Sequence, residues 1–261
     1  MLAMNTRLTA LLLLLALAAP LRAAELHVMI SAGFFRAYSA LVPAYEKASG
    51  DKVVTTRGPS MGDSPEAIPA RLARGEAADL VIMDGASAEK LAQRGALLPG
   101  SVVTLARSQV GMVVRAGTPR PDIGSVEAFK KALLDAKSIA YSDSGSGTYL
   151  SRTLFPRLGI ASQIAAKSRK VRGPPSGEPV AAVVARGEAE IGFQQVSELI
   201  HVPGVDYVGP IPAALQEPFT FAAGVAAGSK QPDAARGLIR FLSSPQAASA
   251  IEKEGLLPPA R

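Results

Sequence analysis

The sequence predicts an α/β protein of two similar lobes, each with a mainly parallel sheet, joined by a two-segment hinge. Three observations carry this expectation. Short apolar runs alternate with helical patterns along the chain, as βα units require. One phrase also occurs twice. Ala73-Arg74-Gly75-Glu76-Ala77 precedes an apolar run at 79–83, and Ala185-Arg186-Gly187-Glu188-Ala189 precedes Ile191-Gly192-Phe193. Each copy reads as the end of an amphipathic helix, a glycine at its C-cap and a short strand. Finally, three loops rich in Gly and Ser fall between a strand and the helix after it.

The elements follow in order. Residues 1–23 read as a secretory signal peptide: Arg7 supplies the positive start, residues 8–19 are apolar apart from Thr9, and Ala23 offers a small residue at the cut. That apolar core is too short to span a bilayer, and no other stretch is long enough. A strand at 26–30 leads to a helix at 35–48, and a second strand covers 53–56. Ser64-Pro65-Glu66 has the form of a helix start, with Ser at the N-cap and Pro in the first turn, giving a helix to Arg74. A strand at 79–83 and a helix at 87–94, stopped by Gly95, come next. The run 110–115 is a strand, followed by a helix at 126–136 and a strand at 138–141. A helix capped by Ser146 or Thr148 runs to Arg157. Residues 179–186 are helical, 191–194 a strand, 196–201 a short helix and 219–226 a strand. Two helices, 232–242 and 245–254, close the chain. The chain is expected to leave lobe one near Ala106 and return near Phe221. Lobe one is then 24–107 plus 222–261, and lobe two 108–221.

Composition narrows the function. Removing 23 of 261 residues leaves 238, enough for two lobes with real cores. The chain has no cysteine, so export brings neither a disulfide framework nor thiolate chemistry. With His27 and His201 as its two histidines, it has no ligand set for a structural zinc site, and no metal or cofactor is implied. A Gly-x-Ser-x-Gly nucleophile elbow is absent. The formal charge of +6 falls to +4 once Arg7 and Arg22 leave, 26 basic against 22 acidic residues. This surplus keeps the protein soluble and also favours a small anion. Its basic residues are scattered and its aromatics few, which argues against nucleic acid.

The loops carry the chemistry. In α/β sheets ligands collect at the C-terminal ends of strands, where helix N-termini present free N–H groups. The loops are Ser31-Ala32-Gly33-Phe34, residues 57–64 with Arg57, Ser60, Met61 and Asp63, and residues 142–149 with Ser146, Gly147, Thr148 and Tyr149. Small residues let backbone amides approach closely, and hydroxyls add donors. Each loop also suits ordinary capping; three at equivalent positions suit an oxyanion or carboxylate. No Walker lysine spacing is present. A further loop at 172–179, with Glu178, opens a helix toward the same cleft. Gln194 and Gln195 end a strand there, fit to read a ligand or to bond neighbouring loops.

At these residues the chain resembles the periplasmic molybdate-binding proteins of the type II solute-binding fold. The resemblance covers nearly the whole exported chain, including Ser31-Ala32-Gly33, the Ser60 loop, residues 76–82, residues 188–192 and Ser244-Pro245-Gln246-Ala247-Ala248. It implies two lobes closing on an anion held by amides and hydroxyls. Gly33 stands where that family places a serine, and Gln195 where it places a tyrosine, so a tetrahedral oxyanion loses donors. Pro59-Ser60-Met61-Gly62-Asp63, Tyr141-Ser142-Asp143-Ser144, Tyr149-Leu150-Ser151-Arg152 and Gly192-Phe193-Gln194-Gln195 resemble a subgroup that includes aconitate isomerase, an exported enzyme.

That resemblance implies a periplasmic, cofactor-free isomerase that binds a small polycarboxylate, works as a monomer and moves an allylic proton. Amides of residues 145–148 and the hydroxyls of Ser60, Ser146 and Thr148 would stabilise the negative charge that develops. Arg57 and Arg152 would hold carboxylates, and Tyr149 would donate a proton or pack in the wall. Asp63 and Glu178 are the candidate bases, each at the mouth of a helix-opening loop. The alternative is a non-enzymatic solute-binding protein delivering a small anion, a tricarboxylate or molybdate, to an ABC permease.

Overall fold

The computed structural model describes residues 23–216 and 219–259, so the expected signal peptide, its last residue Ala23 apart, lies outside the described residues. The apolar run Glu25–Ile30 (β1) buries Leu26, Val28, Met29 and Ile30. It passes at once into Ala32–Ser49 (α1), whose buried Phe34, Ala37, Tyr38, Leu41 and Tyr45 recur at the i, i+3, i+4 spacing of one helix face. The helix stops on Gly50, which takes the left-handed C-cap at φ 82°.

Lys52–Arg57 (β2), Ile68–Ala73 (α2), Leu80–Asp84 (β3), Gly85–Gln93 (α3) and Val103–Ser108 (β4) follow. The chain then enters a second layer with Val110–Arg115 (β5), Val126–Asp135 (α4) and Ile139–Ser142 (β6). Gly145–Tyr149 (α5) continues through one wide turn, Leu150–Leu154, into Phe155–Arg157. Next come Ser168–Val171 (β7), Val180–Ala185 (α6), Ile191–Gln195 (β8), Val196–Leu199 (α7) and Val205–Pro210 (β9). Phe219–Val225 (β10) returns to the first layer, closed by Pro232–Leu242 (α8) and Pro245–Lys253 (α9).

The two sheets have the same plan. Their strand orders are β2-β1-β3-β10-β4 and β7-β6-β8-β5-β9. In each, three strands run parallel, and the strand that arrives from the other sheet lies antiparallel to its two neighbours. The parallel half comes from βα crossovers and the antiparallel half from the crossing chain. The repeated phrase falls at matching places: it ends α2 and α6, turns on Gly75 at φ 77° and Gly187 at φ 76°, and feeds the central strands β3 and β8. Only a residue without a Cβ adopts that turn without strain.

The chain crosses between sheets at Gln109 and returns after Pro210. Gln216, 7% exposed, ties the two crossings together. Its Oε1 accepts the Val110 N–H at 2.8 Å, and its Nε2 donates to Val110 O at 3.2 Å and Ile211 O at 2.9 Å.

Some elements differ from the sequence expectation. The helix expected from Ser64 begins at Ile68, because Ser64 Oγ is spent in a local turn accepting the Glu66 N–H at 3.2 Å. Strands β4, β7 and β9 were not expected. All three are sheet edges, and β7 and β9 bury only one residue between them, so their sequences lack the alternating apolar signal.

Candidate active site between the two sheets

The C-terminal ends of β1, β3, β6 and β8 converge on one cleft, with both sheets contributing walls. The cavity volume within it is about 50 Å³. On the first wall Ser31 is the N-cap residue of α1, in extended backbone, yet its hydroxyl makes no capping bond. Ser31 is 5% exposed, and its Oγ has no partner among the described residues. No acidic residue sits in the first turn of this 18-residue helix. The positive end of α1 therefore faces the cleft with no acid of its own first turn to offset it.

Gly33 lines the same wall because the Phe221 ring takes the space above it: a Cβ there would lie 2.2 Å from the ring. The second loop is anchored by Ser60, whose Oγ accepts the Asp84 N–H at 2.9 Å. Asp84 is itself spent as the N-cap of α3, its Oδ1 accepting from Ser87 N and Ser87 Oγ, both at 2.9 Å.

The opposite wall starts from β6. Ser142 Oγ lies 3.0 Å from both Ser144 Oγ and Ser146 Oγ. Ser144 caps α5 without a side-chain bond to its backbone, so this helix also presents free N–H groups beside Gly145. A Cβ on Gly147 would stand 1.7 Å from Ser142 O, so only glycine allows α5 to start this close to β6. From β8, Gln195 is 6% exposed, and its Oε1 has no partner among the described residues. Gln194 is satisfied: its Oε1 accepts the Val180 N–H at 3.0 Å, and its Nε2 donates to Glu198 Oε1 at 2.7 Å.

Glu198, in the first turn of α7, is partly buried and lines both this cleft and an adjoining groove that contains Arg57 and Phe35. Burial pushes its carboxyl up to about 7, and the negative charge of Asp143 adds to this; the Gln194 hydrogen bond and the Arg57 charge pull the other way. The Arg57 guanidinium stacks 4.2 Å from the Phe35 ring centroid. Burial lowers its own pKa, opposed by the Glu198 charge.

The sequence-derived candidates separate into two groups. Ser31, Gly33, Ser60 and Gln195 line the cleft. Met61 reaches across its mouth, with Cε 3.8 Å from where a Cβ on Gly145 would stand. Ser146 and Gly147 are buried behind the wall, and Thr148 continues the helix. Tyr149 packs, as one of its two expected roles had it: its hydroxyl donates to Leu215 O and its ring meets Phe219 edge-on, so it braces the returning chain. Arg57 sits behind Glu198 in the groove, and Arg152 is exposed.

Neither candidate base lines the cleft. Asp63 is exposed at the loop tip and away from the cleft lining. Glu178 is half-buried, and both its oxygens accept from Arg186, at 2.6 and 2.7 Å, which holds its carboxyl below the usual range. Glu198 escaped notice because β8 passes into α7 with no Gly/Ser loop. The available signal was an acid in the first turn after a strand end.

The lobes meet closely around the cleft. Ser197 Oγ donates to Gly33 O at 2.7 Å, and Glu254 bonds both Arg36, at 2.9 Å, and His201, at 3.0 Å. Among the described residues no group of three or more His, Asp or Glu is arranged to hold a metal ion, and no helix is long and apolar enough to cross a membrane.

Two sheets of one strand order, joined by two crossings and closing uncapped helix ends on a shared cleft, define a solute-binding fold. The chain belongs to the bacterial extracellular solute-binding protein family, which matches residues 26–257. It is 48% identical over 249 residues, 94% of each chain, to an aconitate isomerase of a Pseudomonas species. It is 28% identical over 245 residues, 92% of each chain, to the molybdate-binding protein of Azotobacter vinelandii. Among solved structures, the periplasmic molybdate-binding protein of Azotobacter vinelandii superposes with a TM-score of 0.71 at 24% identity, over 90% of this chain and 100% of that one. The sulfate-binding protein SubI of Mycobacterium tuberculosis H37Rv gives 0.70 at 19% identity, over 90% and 87%.

Proposed function

We propose that this protein interconverts cis- and trans-aconitate by an allylic proton shift, acting in the periplasm after export. The observation that carries the reading is the likeness to aconitate isomerase, 48% identity along 94% of both chains. The cleft is consistent with that substrate. Ser31 Oγ, buried and without a partner among the described residues, sits at the N-terminus of α1, where it can donate to a carboxylate. The Phe221 ring, Pro59 and Pro174 also line the cleft and supply apolar faces for a planar carbon skeleton. A tetrahedral oxyanion has no use for such faces.

Isomerisation removes a proton from the methylene carbon and returns one to the former vinyl carbon. The intermediate spreads negative charge onto an adjoining carboxylate, where amides at the start of α1 and α5 lower the barrier. One chain supplies both walls, so a monomer suffices. The family match favours a second reading, a carrier that hands a small anion to an ABC permease. Incubating the purified protein with trans-aconitate and following cis-aconitate by chromatography separates the two. Turnover supports the isomerase; calorimetric binding without turnover supports the carrier.

A further inference from the structure

We propose, resting on the isomerase reading, that Glu198 is the residue that carries the proton between the two allylic carbons and that Arg57 behind it is a positioning residue. Three acids line the cleft: Asp84, Asp143 and Glu198. Asp84 Oδ1 is held by two bonds from Ser87, and Asp143 Oδ1 accepts the Gly173 N–H at 3.1 Å. Glu198 accepts one neutral hydrogen bond, from Gln194, on Oε1. Among the described residues its Oε2 has no partner, as is also true of Asp84 Oδ2 and Asp143 Oδ2, but of the three acids Glu198 alone also lines the groove that holds Arg57.

Gln194 itself is fixed by Val180, so the bond also sets the direction in which the carboxylate points. In the forward step Glu198 takes a methylene proton. The C–H electron pair becomes the new C=C bond, and the old π pair, held transiently on the allyl–carboxylate system, forms the C–H bond at the former vinyl carbon when Glu198 returns a proton. Protons and electrons balance, and no co-reactant is needed. A carboxyl raised to about 7 by burial both takes and gives a proton near neutrality.

The charged groups around Glu198 are Arg57 at the end of β2, Asp84 at the end of β3, Asp143 after β6, and Arg36 on α1 with His201 after α7 in the groove behind. Arg36 and His201 are each paired with Glu254, so Arg57 is the cation that acts on Glu198 directly.

The test compares wild type, E198Q, E198D and R57M for aconitate turnover, for trans-aconitate binding by calorimetry, and for methylene exchange in deuterated water by proton NMR. E198Q is expected to lose about 100-fold or more in kcat and in exchange. Binding should change by less than about threefold. E198D keeps the carboxylate and should retain measurable turnover, which covers the case of an unfolded E198Q. R57M should move the ascending limb of the kcat–pH profile upward by about 1 pH unit. Turnover within about threefold of wild type in E198Q, or an unmoved limb in R57M, overturns the assignment. An inactive wild type that still binds trans-aconitate instead overturns the isomerase reading itself.

Discussion

Replacing Glu198 by Gln should make the protein more stable in alkaline solution while leaving it nearly unchanged in acid. The Glu198 carboxyl titrates at about 7 in the folded chain against 4.5 in solvent, chiefly because burial disfavours the charged form. A folded pKa raised above the unfolded one stabilises the fold fully below 4.5, and this contribution is lost as pH rises through about 7. The gap, about 7 less 4.5 or about 2.5 pH units, corresponds to roughly 3 kcal/mol at about 1.4 kcal/mol per unit. Glu198 is partly open to solvent, which screens its charge, so about 1–2 kcal/mol is expected in practice.

Glutamine keeps the shape of the side chain, and its carbonyl can still accept from Gln194 Nε2. For a chain of this size about 1 kcal/mol moves the melting temperature by roughly 2–4 °C. E198Q should therefore melt about 2–8 °C above wild type near pH 8.5 and within about 1 °C of it near pH 5. Calorimetric scans of ligand-free protein in buffers of equal ionic strength measure this directly. An identical difference at both pH values, or a lower melting temperature for E198Q in alkali, would show that the ionised carboxylate is well solvated and refute the reasoning.

Other substitutions separate binding from folding. S31A removes a buried hydroxyl that has no partner in the protein, so the ligand-free melting temperature should hold or rise slightly. Trans-aconitate affinity should meanwhile fall about tenfold by calorimetry. G147A places a Cβ 1.7 Å from Ser142 O, forcing α5 away from β6. It should cost about 1–3 kcal/mol in urea unfolding. E178Q and D63N alter acids outside the cleft lining, and turnover in both should stay within about twofold of wild type.

Half of the site was legible from local sequence. Ser31, Gly33 and Ser60 stand in Gly/Ser loops at strand ends, where backbone geometry alone predicts ligand approach, and Gln195 ends a buried strand. Glu178 and Asp63 drew attention for the same positional reason, yet neither lines the cleft. Position in a loop says nothing of which way a side chain turns or what it meets: Glu178 meets Arg186, from the far end of its own helix.

The α/β alternation, the two-lobed plan and the helix–glycine–strand repeat were set by short-range pattern, because apolar periodicity and left-handed glycine turns are local properties of the backbone. Tertiary structure alone decided the edge strands, whose polar sequences acquire order only from a neighbour's hydrogen bonds. It also decided the ionisation of Glu198. That carboxyl is raised by burial and by Asp143, and restrained by Gln194 and by Arg57 of the other sheet, so its chemistry depends on distances no linear reading contains.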